Sequence, residues 1–189
     1  MKIKLVKTKK LEDVPKILRE KSKEVEKITP QILDLIEKMK KIMKENNGVG
    51  ISAVQVGRLL RIMIIKVGDK DMAFINPVIT RLGKEIVPYR EGCLSFPGYY
   101  IHIKRPQDVI LEATTEDSKE VEVKTDALPA RAIQHEIDHM NGIVFRDHAK
   151  NQDDIEKSTQ TNKELRDIAE ANKKTEESPK KLQAKNLRS

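Results

Sequence analysis

The chain has 189 residues, 35% of them charged and 3% aromatic, with one Cys, no Trp and a formal net charge of +7 at pH 7. That length suits one globular domain plus an appendage and can bury a core. No run approaches the apolar length of a membrane span, and a lone thiol excludes an intrachain disulfide and fits a reducing compartment.

The basic start, Met1-Lys2-Ile3-Lys4, lacks a sustained apolar stretch, and acids from Glu12 onward argue against a transit peptide, so no removed leader is expected. The positive excess lies in residues 1–50. Interspersed acids and scarce aromatics make it a solvated helix surface rather than a sequence-specific nucleic-acid reader.

The spacing predicts a helix from Thr29 to Asn46. Thr29 stands as its cap, Pro30 in the first turn, and Ile32, Leu35, Ile36, Met39, Ile42 and Met43 as one core-facing stripe. Gly48-Val49-Gly50-Ile51-Ser52-Ala53-Val54-Gln55 follows, with two glycines close together where the backbone must turn or be closely approached. Arg61–Val67, Met72–Ile75, Asp108–Thr114 and Glu120–Lys124 read as strands, the last two as a hairpin; Asn76-Pro77 reads as a turn. No crossover helix fits between Arg58 and Thr125, so antiparallel or mixed sheets are expected rather than a doubly wound one.

Asp126 stands as cap and Pro129 in the first turn of a second helix, which Gly142 ends. It carries Gln134-His135-Glu136-Ile137-Asp138-His139. At about 100° per residue, His135 and His139 lie roughly 40° apart on one face, so both imidazoles can reach one metal ion. Glu136 and Asp138 flank the pair symmetrically, but Glu136 sits between Ala132 and Met140, whereas Asp138 has Arg131, Gln134 and Asn141 for neighbours. An apolar setting poises a carboxyl for proton transfer, so Glu136 is assigned as general acid/base and Asp138 a structural role. Leu128 and Ala132, beside the histidines, can wall an apolar substrate pocket. The helix is apolar on two sides and is expected to be buried centrally.

From Asn151 the chain is polar and mixed in charge. Leu165, Ile168 and Ala169 suggest one amphipathic helix, with disorder expected beyond Lys173. The organisation expected is a catalytic domain over 1–150 and a charged extension over 151–189, partly helical or disordered. The fold class is α+β: antiparallel or mixed sheets around a central buried metal-binding helix, with an N-terminal helix and a polar tail.

Two histidines need a third protein ligand. Cys93, in Glu91-Gly92-Cys93-Leu94-Ser95, is the best candidate, although a lone cysteine is often a small apolar core residue. Glu91 can pair with Arg105 or Arg131 to brace that segment. Tyr99 and Tyr100 can rim the cleft or simply pack, and His102 and His148 are read as ordinary polar residues. Two rivals stay open: a His-Glu-x-x-His peptidase with an acidic third ligand, and a non-catalytic protein that binds partners through its basic region or tail.

Together, Gly48–Gln55, Glu91–Ser95 and Gln134–His139, in this order and spacing, resemble the three signature motifs of peptide deformylases over roughly residues 10–148. The resemblance implies a metal on Cys93, His135 and His139, with Glu136 as catalytic acid/base. It places Gln55 and the Leu94 amide around the oxyanion, and Val49 and Gly50 along the substrate cleft. It also implies removal of the formyl group from N-formylmethionine of nascent chains, releasing formate, in bacterial cytoplasm or a bacterium-derived organelle. The cofactor implied is Fe(II), with Zn(II), Ni(II) or Co(II) possible in isolated protein. The partners implied are a formylated nascent polypeptide and the ribosome, reached through the basic N-terminal region or the extension, and no membrane. Ser52 and Val54 depart from the family's common Ala and Pro, which is expected to alter loop shape more than chemistry.

Overall fold

Thr29 opens helix α1 (Pro30–Glu45) by accepting the Ile32 N–H on its side chain, with Pro30 in the first turn where a missing N–H costs nothing. Leu35, Ile36, Met39 and Met43 are buried along the expected stripe, with Ile32 and Ile42 packed beside them. These features belong to a computed structural model that describes residues 2–149, 155–157 and 183–186.

The larger sheet contains β1 (Gly50–Ser52), β2 (Ile62–Val67), β3 (Lys70–Leu82), β6 (Asp108–Thr114), β7 (Glu120–Asp126) and β9 (Gln183–Asn186), in the order β1-β2-β3-β6-β7-β9. A smaller sheet has the order β4-β5-β8, with β4 spanning Ile86–Cys93, β5 Phe96–Pro106 and β8 Ile155–Lys157. Among the described residues, every strand pairing in both sheets is antiparallel.

Strand β2 shows why its run Ile62-Met63-Ile64-Ile65 is unbroken by polar residues. Alternate side chains point to opposite faces: Ile62 and Ile64 join the core under α1, while Met63 and Ile65 join the core under helix α2 (Ala127–Met140). The two helices therefore cover opposite faces of the larger sheet. A third core lies under the smaller sheet, where Leu18, Val54, Phe96, Ile101, Ile103 and Phe145 meet. Helix α2 lies between the two sheets, buried centrally as expected.

Three local readings change. Asn76-Pro77 is not a turn but a bulge within β3: the register shifts between Ile75 and Val78, and Asn76 takes φ 50°. The Asn76 side chain stabilises it, accepting the Val25 N–H at 2.8 Å and donating to the Val25 carbonyl at 3.0 Å. Strands β4 and β5 were not expected, because Pro88, Gly92, Pro97 and Gly98 interrupt their pattern. Pro88 is tolerated because β4 is the edge of its sheet. Asp126 precedes α2 without a side-chain cap; the Ala127 N–H instead donates to the Gln107 carbonyl at 3.0 Å.

Gly142 does follow the end of α2, at φ 77°, where an added Cβ would lie 2.5 Å from the Arg19 carbonyl oxygen. Of the extension, β8 pairs with Tyr99–Ile101 of β5 and β9 with Val121–Lys124 of β7. Strand β9 lies beyond Lys173, where the sequence suggested disorder. The helix suggested around Leu165, Ile168 and Ala169 lies outside the described residues.

Candidate metal centre and active site

The β4–β5 hairpin and helix α2 converge at one point. Cys93 closes β4 at a register shift, with Leu94-Ser95 as the turn into β5, so the thiol sits at a strand end beside a tight turn. Its Sγ lies 3.2 Å from His139 Nε2, and the donor atoms of Cys93, His135 and His139 all fall within 4.8 Å of one another. Among the described residues no carboxylate belongs to this cluster, which removes the support for an acidic third ligand.

Glu91, two residues before the thiol, organises the surroundings. Its carboxylate accepts from Arg105 Nε at 2.7 Å and Nη2 at 3.1 Å, from Arg131 Nη1 at 2.7 Å, and contacts His135 Nδ1 at 3.1 Å. Both arginines considered from the sequence therefore reach it. The Nδ1 contact leaves His135 Nε2 as the nitrogen available to a metal. Burial alone would push the Glu91 carboxyl up, but hydrogen bonds from His135 and Arg105 outweigh it and hold the pKa at about 2. Arg131 also donates to the Ile103 and Val87 carbonyls, at 2.9 and 2.6 Å, tying β4 and β5 to α2.

The two acids of the helix motif have opposite settings. Asp138 accepts from Arg105 Nη1 and contacts His148 Nε2, both at 2.8 Å, so His148 is a polar partner of Asp138 and stands outside the Cys93-His135-His139 group. Glu136 is 3% exposed, and its Oε2 is buried without a hydrogen-bond partner. Burial raises its pKa to about 7, against the pull of His135 and the Ser52 hydroxyl. Its carboxylate packs on Gly50, where an added Cβ would lie 2.8 Å from Oε1, so a side chain there would have to displace the carboxylate. On His135, the Cys93 sulfur and Glu91 overcome burial and raise the pKa; on His139, burial and the neighbouring His135 lower it.

Gln55 sits in a 3-10 turn (Ala53–Val56) after β1 and is 1% exposed. Its Nε2 donates towards Cys93 Sγ at 3.5 Å and Ser95 Oγ at 3.4 Å, while its Oε1 accepts from Ser52 N–H at 2.9 Å. The N-terminal segment braces both loops: Val6 N–H donates to the Gln55 carbonyl at 2.7 Å and Thr8 N–H to the Ser95 carbonyl at 3.0 Å. Leu94 is the residue after the thiol and packs on the α1 core. Val49 is exposed, Leu128 half-buried, and Ala132 buried against the larger sheet. Tyr99 packs in the third core and donates to the Lys9 carbonyl at 3.3 Å, and Tyr100 carries the Arg90 guanidinium 3.7 Å over its ring.

The sequence pattern of the polypeptide deformylase family matches residues 8–154. The chain belongs to the polypeptide deformylase family. The peptide deformylase of Dictyoglomus turgidum is 42% identical over 143 residues, covering 76% of this chain and 90% of that one. The crystal structure of a peptide deformylase from Synechococcus elongatus in complex with actinonin superposes with a TM-score of 0.72 at 31% identity, covering 82% of this chain and 88% of that one. A Met-Ala-Ser-bound class I type b peptide deformylase from Acinetobacter baumannii gives 0.71 at 28% identity, covering 78% and 98%. The chain is thus a deformylase-family hydrolase of protein synthesis, with an α+β fold and a buried Cys-His-His group at its central helix. One sulfur and two imidazoles converging to this spacing fit the donor set of a divalent transition metal.

Among the described residues, no helix is long and apolar enough to cross a membrane. Ser95 was not singled out from the sequence, and Ser52 was noted only for its effect on loop shape. Arg105, expected as a possible partner of Glu91, shares the buried face of β5 with Ile101 and Ile103; neither serine carried a signal for its contact with Gln55 without the fold that brings β1 and the β4–β5 turn together.

Proposed function

We propose that the protein removes the formyl group from N-formylmethionine at the start of newly made polypeptides, releasing formate. The observation that carries this reading is the meeting of Cys93 Sγ with His135 and His139 beside Glu136, a buried carboxyl whose pKa is about 7. Cys93, His135 and His139 would hold the metal, Fe(II), although Zn(II), Ni(II) and Co(II) suit the same donors. When bound, a divalent ion supplies Lewis acidity and brings the pKa of water towards neutrality.

Glu136 takes the proton of the attacking water and afterwards delivers it to the departing amine, so its carboxyl must exchange a proton near neutral pH. The Gln55 NH2 and the Leu94 N–H donate to the oxyanion as the formyl carbon becomes tetrahedral; loss of one such donor costs about 10²–10³ in rate. Val49, Gly50, Leu128 and Ala132 line the place for the methionine side chain. Residues 1–150 form the catalytic domain and 151–189 the extension. The basic N-terminal region or the extension meets the ribosome, in bacterial cytoplasm or a bacterium-derived organelle.

The test is formate release from formyl-Met-Ala-Ser by anaerobically prepared Fe(II)-loaded protein. Stoichiometric formate is expected. Iron bound at one equivalent with no formate released would overturn the reading in favour of a non-catalytic binder.

A further inference from the structure

Gln55 is held at both ends of its carboxamide, and the two ends are not equivalent. Its Oε1 accepts the Ser52 N–H at 2.9 Å and the Ser52 hydroxyl at 3.3 Å, while the Ser52 oxygen in turn accepts the Gln55 backbone N–H. Its Nε2 points the other way, to Cys93 Sγ and Ser95 Oγ. A 180° turn of the amide would set an NH2 against the Ser52 N–H and an oxygen against the Cys93 sulfur. Ser52 and Ser95 are fully buried, so no water would compensate.

We propose that Ser52 is a positioning residue for deformylation: its reciprocal hydrogen bonds with Gln55 fix which end of the carboxamide faces the reaction centre, so that the oxyanion always meets NH2. This rests on the proposed function for its kinetic meaning, but its geometric content is independent of activity. Ser52 touches neither substrate nor metal in this role. The Ser52 N–H remains in any variant, so removing the hydroxyl loosens the amide without freeing it.

Because the hydroxyl also lies within reach of Glu136, a simple loss of rate in Ser52→Ala would not say which partner it serves. A double-mutant cycle separates them. In the full chain, Ser52→Ala is expected to lower kcat about three- to tenfold, the worth of one neutral hydrogen bond, at unchanged KM and metal content. In a Gln55→Ala background it should lower kcat no further, and Ser52→Thr, which keeps the hydroxyl, should retain most of the parent rate. An equal loss in both backgrounds, or a loss appearing in KM alone, overturns the proposal.

A second readout needs no turnover. In the zinc-loaded full chain, the Gln55 side-chain NH2 should be slow to exchange with solvent by NMR, and Ser52→Ala should speed that exchange several-fold. Unchanged exchange overturns the proposal whatever the kinetics. Protection lost on mutation in a protein that releases no formate would instead leave the positioning intact and defeat only the deformylase reading.

Discussion

Ala130, Ile133 and Met140 on one side of α2 press into Met63, Ile65, Phe74 and Leu111 of the larger sheet, whereas Arg131, Gln134, His135 and His139 on the other side face the smaller sheet. The first interface is apolar and non-directional, and it stabilises by area removed from water. The second is built from buried charge: Glu91, Arg105, Arg131 and Asp138 satisfy one another around His135. Buried charges contribute little net stability but tolerate few geometries, since each lost partner leaves an ion stranded. The apolar face holds the helix in place, and the charged face aims the imidazoles.

Within the charged face, Glu136 and Glu91 are opposites, and replacing Glu136 gives the largest expected effect. On the proposed mechanism, Glu136→Gln should reduce kcat by about 10²–10⁴ with metal content unchanged. Its pKa is raised from 4.5 to about 7, so in metal-free protein the folded state resists its ionisation. That cost is absent below pH 4.5, grows as pH rises and levels off above about 7. Thermal melts of metal-free Glu136→Gln should therefore match the parent at pH 4 and exceed it at pH 8; a lower Tm at pH 8 would contradict a net cost of ionising this buried carboxyl.

Glu91→Ala comes next, because it strands Arg105 and Arg131 and frees His135 to turn. A loss of about 3–5 kcal/mol by urea denaturation is expected, together with about 10–100-fold weaker zinc binding. The sign of the pH dependence reverses here. The Glu91 pKa is lowered from 4.5 to about 2, so its contribution is complete above pH 4.5 and disappears as pH falls towards 2. The stability gap between parent and Glu91→Ala should accordingly narrow in acid. On the apolar face, Ile64→Val removes one buried methylene from beneath α1 and should cost about 0.5–1.5 kcal/mol. The two faces differ in readout: zinc affinity should be unchanged in Ile64→Val.

The contrast also explains what could be read from the sequence. The apolar elements announced themselves by period: α1 was legible to its Thr29 cap, β2 by its unbroken run, and the β6–β7 hairpin by alternation around Glu116-Asp117-Ser118. The histidine pair was legible because helical geometry sets its angle, and pairing of Glu91 with Arg105 or Arg131 was expected from the need to neutralise a buried acid, although the sequence did not show that both would reach it. The β4–β5 hairpin was not, since its pattern is broken by prolines and glycines and its inner face is held by Arg105 and Arg131 rather than by hydrophobic residues alone. The partner of His148 was not legible for a related reason: Asp138 is ten residues away and is reached after the chain turns back through Gly142 and the 3-10 turn Phe145–His148.

The smallest effect is expected where the same chemistry stands in water. Arg19 and Asp147 form a two-pronged pair, but their side chains are 39% and 35% exposed. Solvent already stabilises each charge separately, so forming the pair gains little and costs side-chain entropy. Asp147 also accepts the Val144 N–H at 3.0 Å, a bond that survives loss of the arginine. Arg19→Met, which keeps the apolar stem, should cost less than about 1 kcal/mol and shift less still in 1 M NaCl. Set beside Glu91→Ala, the difference isolates burial as the variable, because both changes break a bidentate arginine–carboxylate contact. A loss for Arg19→Met approaching that of Glu91→Ala would mean that the pair fastens the segment before α1 to the end of α2 as a structural clamp, and that exposure alone does not rank the ion pairs of this chain.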